Sequence, residues 1–338
     1  MTNIHRRNEK QAPSAQIFYA EDGVTVPFWD HPNFSDRIVA PDDYQPITRV
    51  EQGIEYFNRG IISEDGMRVL KVVADALCAN ENQLRRYMKK YSEKFGTSHT
   101  SKLLRGLAKY GLVERHVCRL SFIEDEGEQE KRPAPFTLGI GGVKLLNHYY
   151  TDMPFVSPET WRESPVAVQR YVSMNEVRCL GAYTGKLRNW VWHPRIGGNA
   201  IYRKPLAVAV WNYPGNAQQQ QKDIQMIFER AQSAQRYMEH IRTRLRTYRE
   251  LYEKDGFIWI DGLKKNAAQV VVLSVGTVQM AKRLHMQLKL TSFPFPIWFV
   301  IDEWMETDDK LASAFAQPLK EEGQLKRIHV PLLLPNQS

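Results

Sequence analysis

From Ser63 onward the apolar positions fall into helical periods. Met67, Leu70, Val73 and Leu77 recur at spacings of three and four. Ser63 precedes them as an N-cap, and Glu64 and Asp65 occupy the first turn, where the helix dipole favours acids. Asn80 reads as the N-cap of a second helix ending at Gly96, with Leu84, Tyr87, Met88, Tyr91 and Phe95 inward. Thr97 or Ser98 opens a third helix. Leu103, Leu104, Leu107 and Tyr110 form its buried stripe, and Gly111 closes it. Alternation then replaces the helical period through Val113, Val117, Arg119 and Phe122, and predicts a strand. The acidic stretch Glu124–Glu130 reads as a turn, and Phe136-Thr137-Leu138 as the returning strand. Three short helices followed by a two-stranded ribbon is the plan of a winged helix, here over residues 61–150.

The flanking segments have a different texture. Residues 1–60 show no sustained period. Pro13, Pro27, Pro32, Pro41 and Pro46 interrupt them, so an irregular arm is expected, with Phe28, Trp29, Tyr44 and Tyr56 pinned on another surface. Residues 151–163 hold two prolines and read as a linker. Residues 164–302 predict a helix from Pro165 to about Ala182, then strands at Trp190–His193, Ile201–Trp211 and Ile224–Ala231. A long helix from Ser233 to Glu253, a strand Val270–Ser274, a helix Val278–Leu290 and a strand Ile297–Ile301 follow. The order α-β-β-β-α-β-α-β makes the chain α/β in class, of the mixed α+β kind. Residues 303–338 read as a tail in which Glu303, Glu306, Asp308 and Asp309 cluster.

Length and composition narrow the classes. A chain of 338 residues suggests two domains. With 43% hydrophobic and 25% charged residues, wholesale disorder is excluded. No apolar run reaches the roughly 18 residues of a membrane span, and MTNIHRRNEK is not a signal peptide. The expectation is a cytoplasmic protein with no membrane partner. Cys78, Cys118 and Cys179 are too far apart in sequence for a metal-binding pair or a disulfide framework, and read as buried thiols in a reducing compartment.

Charge changes the picture more. The net charge is +8. Between Arg85 and Arg119 ten Lys and Arg face two acids, Glu93 and Glu114, so this window alone carries the excess and the remainder nets to zero. A localised basic stripe points to nucleic acid better than a diffuse surplus does. On the third helix, spacings of three and four gather His99, Lys102, Arg105 and Lys109 opposite the leucines. In a helix-turn-helix that side enters the major groove, and the alternative is a solvated helix face. Arg115 on the first strand, with Lys131 and Arg132 at the wing base, complete the DNA-binding candidates.

Other signatures fail. Gly181–Lys186 has three residues between its glycines where a phosphate loop has four, and Leu187 stands where Ser or Thr would bind magnesium. The nine histidines form no ligand spacing, so neither a metal nor another cofactor is expected. On the helix from Ser233, Arg236, Arg242, Arg244, Arg246 and Arg249 suit a phosphate partner or neutralisation by Glu239, Glu250 and Glu253. Trp190 and Trp192 share a strand face and read as core.

The α-β-β-β-α-β order is that of the restriction-endonuclease-like core. Behind a winged helix, it resembles the replication-relaxation family, proteins of plasmids and integrative elements in Gram-positive bacteria linked by name to plasmid replication and mobilisation. The resemblance rests on LLRGLAKYGLVER, FTLGIGGVKLL, MNEVR at Met174–Arg178 and MIFERAQS before a helix ending LRTYRELY. It implies duplex DNA as partner, other plasmid replication or transfer proteins as further partners, and a homodimer as one assembly. It also implies where a nuclease centre would lie. Such centres hold magnesium between an Asp on one strand and an acid on the next, with Lys two residues on. Here Arg203-Lys204-Pro205-Leu206 lacks the Asp, and Ala231 replaces the Lys. Glu229 remains, read as a relic that pairs with Arg230 or Arg203 or caps the local network, and Asp223 lies just ahead of its strand. The expected function is therefore DNA binding in replication, mobilisation or their regulation, beside an inactive nuclease-like scaffold. The alternatives are a divalent-metal nickase or relaxase using Asp223 and Glu229, and a structural component making only protein contacts.

Overall fold

The computed structural model describes residues 19–23, 25–31, 34–120, 132–151, 155–162, 165–198, 202–213, 222–232, 236–265, 267–308, 311–330 and 333. The chain is mixed α+β with two sheets. It divides into two compact units, Asn33–Gly185 and Met1–Pro32 with Lys186–Ser338. They are called the helical unit and the sheet unit below.

The helical unit runs β1 (Phe34–Val39), α1 (Val50–Asn58), α2 (Glu64–Ala76), β2 (Ala79–Asn80), α3 (Glu81–Lys89), α4 (Thr97–Lys109), β3 (Val113–Leu120) and β4 (Pro135–Leu138). It ends with α5 (Ile140–Tyr149), α6 (Glu159–Arg162) and α7 (Pro165–Tyr183). Its antiparallel sheet has the order β1-β3-β4-β2. The apolar stripes meet in one core that includes Leu70, Val73, Leu84, Met88, Leu104, Leu107, Phe136 and Leu145. The predicted caps form: Ser63 Oγ accepts from Gly66 N, and Asn80 and Gln83 make a reciprocal capping box. The glycines after β4 are there for close approach. A Cβ on Gly142 would lie 2.1 Å from the Leu112 carbonyl oxygen, and one on Gly139 would lie 2.3 Å from that of Gly111.

Several boundaries depart from the sequence reading. Residues 1–60, expected to be irregular, contain β1 and α1. The prolines flank these elements, and β1 exists by pairing with β3, from Phe34 opposite Leu120 to Val39 opposite Arg115. The second helix stops at Lys89, so Tyr91 is exposed, while Gly96 is the N-cap of α4 and not a helix stop. Leu77, expected in the first stripe, is a C-cap at φ 63. A leucine in that region is strained, and Asn175 holds the turn by donating to the carbonyls of Ala76 and Cys78, both at 2.8 Å. The same helix brings Glu176 to Gln83 and Arg86, and Arg178 to Asp75. MNEVR is thus a docking motif inside the helical unit. It moves α7 out of the domain expected at 164–302 and sets the division at Gly185. Within the segment expected to be a linker, α6 is helical.

The sheet unit runs β5 (Leu187–Trp192), β6 (Ala207–Tyr213), β7 (Lys222–Arg230), α8 (Tyr237–Asp255), β8 (Ala268–Val275), α9 (Val278–Leu288) and β9 (Ile297–Ile301). It continues through α10 (Asp302–Asp308), β10 (Phe315–Pro318) and β11 (Leu325–Ile328). All seven strands lie in sequence order. The outer pairs are antiparallel, and β7, β8 and β9 are parallel, joined by the crossover helices α8 and α9. β8 and β9 are mostly apolar, as strands covered on both faces must be, whereas β7 mixes Ile224, Met226, Ile227 and Phe228 with five polar or charged residues. Residues 303–338 are no mere tail, since β10 and β11 extend this sheet. Phe28-Trp29-Asp30 forms a 3-10 turn in the same unit, with the Asp30 carboxylate against Gly276, where a Cβ would lie 2.5 Å from it.

Candidate nucleic-acid interface

Helix α4 turns Leu104, Leu107 and Ala108 into the core, which leaves its opposite side to water. The four basic candidates on it separate into two kinds. His99 Nε2 lies 3.3 Å from Asp65, which also takes Lys94 at 2.7 Å. Lys94, with His99 behind it, holds the Asp65 carboxyl below its usual range. Lys109 pairs with Asp43 at 3.1 Å and lowers that carboxyl too. Lys102 and Arg105 stand exposed between these pairs and form no ion pair with a described residue. Arg105 adds only a distant pull on Asp43. His99 therefore sits at the edge of the expected face, against α2.

Beside the expected Arg115, the sheet supplies two cations, Arg37 and Arg119, that the sequence reading did not select. Opposite residues of antiparallel strands share a face, and Arg37 lies opposite Val117, Arg119 opposite Ser35 and Arg115 opposite Val39. Arg37, Arg115 and Arg119 are exposed on that face, the one that carries Val113, Phe136 and Leu138 into the core further along. Arg37 gives no local signal, because its strand spans six residues and is defined by pairing with a distant one. Arg132 is half-buried just ahead of β4. Lys131 lies outside the described residues, as does the acidic stretch Glu124–Glu130.

The reverse face of this sheet is dry. His116 is fully buried, with Nδ1 2.7 Å from Asp36 Oδ2 and Nε2 3.1 Å from Thr137 Oγ1. These hydrogen bonds span β1, β3 and β4 and fix their register. Cys78 and Cys179 are buried and Cys118 half-buried, and burial pushes all three thiols up, Cys179 to about 12.

In the sheet unit, Glu229 is buried beneath α8. The Tyr248 hydroxyl donates to Oε1, Arg244 Nε lies 3.3 Å from the same oxygen, and His240 Nε2 lies 3.8 Å from Oε2. Burial, then the charge of Glu229, pushes the Tyr248 phenol well above its ordinary value. Glu229 was expected to pair with Arg230 or Arg203, or to cap the local network; it pairs with neither arginine among the described residues, and for Arg230 the strand explains it. Adjacent strand residues point to opposite faces, so its guanidinium grips Asp302 at 2.9 and 2.6 Å and Ser274 at 2.8 Å. Continuing the β6–β7 register one step beyond Ala207 opposite Phe228 sets Leu206 beside Glu229. Asp223 is inside β7, not ahead of it, and pairs with Arg188 at 3.1 Å and Lys264 at 3.2 Å. Six residues of strand separate it from Glu229, about 20 Å at roughly 3.3 Å per residue. These two carboxylates cannot share one ion. Among the described residues no three His, Cys, Asp or Glu side chains are grouped to hold a metal, and no helix is long and apolar enough to cross a membrane.

On α8, Arg249 stacks over Phe293 at 4.1 Å and donates to the Ser292 carbonyl, while Arg242 and Arg246 are exposed. Trp190 stacks on Phe228 with centroids 5.4 Å apart, and Trp192 meets Trp190 edge-on. No protein-family model, no curated protein and no solved structure matches the chain.

Proposed function

We propose that this chain is a cytoplasmic, duplex-DNA-binding protein of a plasmid or integrative element, serving replication, mobilisation or their regulation. In this reading the helical unit works as a winged helix with α4 as the recognition helix. The observation that carries it is the pair of exposed, unbridged cations Lys102 and Arg105 on the outward side of a helix whose other side is core. Among the described residues neither cation has an ion-pair partner, and phosphates are a fitting counter-charge. Asp65 and Asp43 would hold His99 and Lys109 at the borders of the contact, while Arg115, with Arg37 and Arg119, would reach the backbone from the sheet.

The sheet unit is proposed as a nuclease-like scaffold without a working centre. Leu206 and Ala231 stand where a magnesium centre would want Asp and Lys, and Asp223 is too distant to compensate. A role in contacting replication or transfer proteins, or a second copy of this chain, belongs to the same reading. Fluorescence anisotropy of the full chain on labelled duplex, across a salt series, tests it. A log–log salt slope of several units that falls on replacing Lys102 and Arg105 supports the assignment. Salt-independent or absent binding refutes it.

A further inference from the structure

A second feature of the helical unit lies away from the α4 cations. Between α2, α3 and the chain after α5 is a cleft of about 430 Å³, within the range of small-molecule sites. Four aromatic rings line it: Tyr87, Tyr91, Tyr150 and Phe155. Arg68 and Lys71 stand at it from α2 with Asp75. Tyr91 is 54% exposed, although no sequence rule asks a helical protein to leave such a ring in water. The cleft floor is rigid, because buried Arg178 is held by Asp75 and lies 4.7 Å over the Tyr87 ring.

The charges decide what fits. Aromatic cages usually take cations, but here the chain's own cations already cover two rings: Arg178 over Tyr87, and Lys71 Nζ 4.2 Å over Tyr150. The one carboxylate of the lining, Asp75, is engaged by Arg178. A cationic guest would meet Lys71, which forms no ion pair with a described residue, whereas Arg68 is already answered by Asp65 at 3.4 Å and Glu64 at 3.9 Å. A purely apolar guest would strip water from the Lys71 ammonium without replacing it. A guest with a flat ring and an anionic group answers both demands, the ring on the aromatic walls and the anion at Lys71.

We propose that this cleft binds a nucleotide, its base stacked among Tyr91, Tyr150 and Phe155 and its phosphate on Lys71, with Arg68, which Asp65 and Glu64 already pair, in support. The source is a free nucleotide or the phosphorylated end of a single strand, which present the same chemistry. Burial raises the Tyr87 phenol to about 12, so Tyr87 remains a neutral hydrogen-bond donor at the floor throughout the physiological range. The site stands independently of the duplex-binding reading, since none of its residues lies on α4.

The test is calorimetric titration of the full chain with deoxyadenosine monophosphate, with orthophosphate as competitor. Saturable binding is expected, weakened at least about fivefold by Tyr91→Ala through loss of stacking, and similarly by Lys71→Gln. Both side chains are exposed, and unchanged melting of each variant checks the fold. Orthophosphate at equal concentration should compete poorly. A 5′-phosphorylated trinucleotide that binds tighter than the mononucleotide assigns the site to strand ends, and the reverse order assigns it to free nucleotides. The Lys102→Ala, Arg105→Ala double variant should bind the nucleotide as wild type does, even if duplex binding is abolished or never present. Three results overturn the proposal: no binding at about millimolar nucleotide, full affinity in both cleft variants, or orthophosphate competing as well as the nucleotide.

Discussion

Helices α4 and α8 both stand out in the sequence as rich in cations, and they spend them differently. On α4, His99 and Lys109 are tied to Asp65 and Asp43 at the two borders, and Lys102 and Arg105 between them face water. On α8, Arg244 turns inward to buried Glu229 and Arg249 lies over Phe293, while Arg242, Arg246 and Lys254 face water. The difference follows from what lies beneath each helix. Below α4 is an apolar core. Below α8 is a strand whose Glu229 is 1% exposed, and an unpaired carboxylate there would cost several kcal/mol. A cation-rich helix is therefore evidence of an external partner only after its internal obligations have been subtracted.

The largest expected effect tests that internal obligation. Glu229→Ala removes the acceptor of Tyr248 and the counter-charge of Arg244, leaving a half-buried guanidinium without a partner. Removing one member of a buried pair costs about 3–5 kcal/mol, so the unfolding midpoint in urea should drop sharply. A change under about 1 kcal/mol would mean that Arg244 is solvated and that α8 resembles α4 after all. The milder Glu229→Gln keeps an acceptor for Tyr248, and should leave duplex affinity within about threefold, because in the proposed reading DNA is read by the other unit.

The external obligation of α4 is next in size. Replacing Lys102 and Arg105 with Ala should weaken duplex binding by about 1–3 kcal/mol and lower the log–log salt slope by about 0.9 for each phosphate no longer neutralised. Stability should move by less than about 0.5 kcal/mol, since both side chains are exposed and neither forms an ion pair with a described residue. Unaltered affinity would remove α4 from the interface and make its cations a solvated face.

Both helices, as elements, could be read from the sequence, and their obligations could not. The Met67–Leu70–Val73 and Leu104–Leu107 stripes, the Ser63 and Asn80 caps and the Ile297–Ile301 strand are local signals that sit within one element. β1, β10 and β11 have four to six residues each and gain definition only from distant partners, so periodicity missed them. The place of α7 was illegible for the same reason. Asn175, Glu176 and Arg178 find their partners on α2, α3 and the turn between them, far back in the chain. At the candidate site, helical spacing correctly grouped Lys102 and Arg105, but Asp43 and Asp65, which claim Lys109 and His99, come from other segments.

Buried charge in the sheet unit also predicts a pH dependence. Glu303 at the start of α10 is raised by burial to about 7 from an ordinary 4.5, and the nearby charges of Glu21 and Asp22 push the same way. The folded state thus keeps a proton that the unfolded chain has released by neutral pH. Its contribution to stability is intact below about pH 4.5 and is lost as pH rises through 7. Glu303→Gln should therefore gain on the order of 1–2 kcal/mol over wild type at pH 8 and little at pH 4.5. Parallel stability curves for the two proteins would show that Glu303 is solvated in the folded state.

The smallest effect returns to the exposed arginines of α8. Arg242 and Arg246 are one turn apart and repel, by about 0.2–0.5 kcal/mol in an isolated helix. Neither has an ion-pair partner among the described residues, whereas Glu239 is exposed one turn before Arg242 and Glu250 one turn after Arg246, and both screen the pair. With that screening, Arg246→Ala should stabilise the sheet unit by no more than a few tenths of a kcal/mol at low salt, and by nothing at high salt, where the Debye length falls to about 3 Å. Duplex affinity should stay within about twofold, in contrast to the α4 double variant. If Arg246→Ala instead lowers the salt slope as Lys102 and Arg105 do, α8 carries phosphate contacts of its own. The contrast between the two helices would then be one of degree, with the sheet unit binding the same DNA as the helical one.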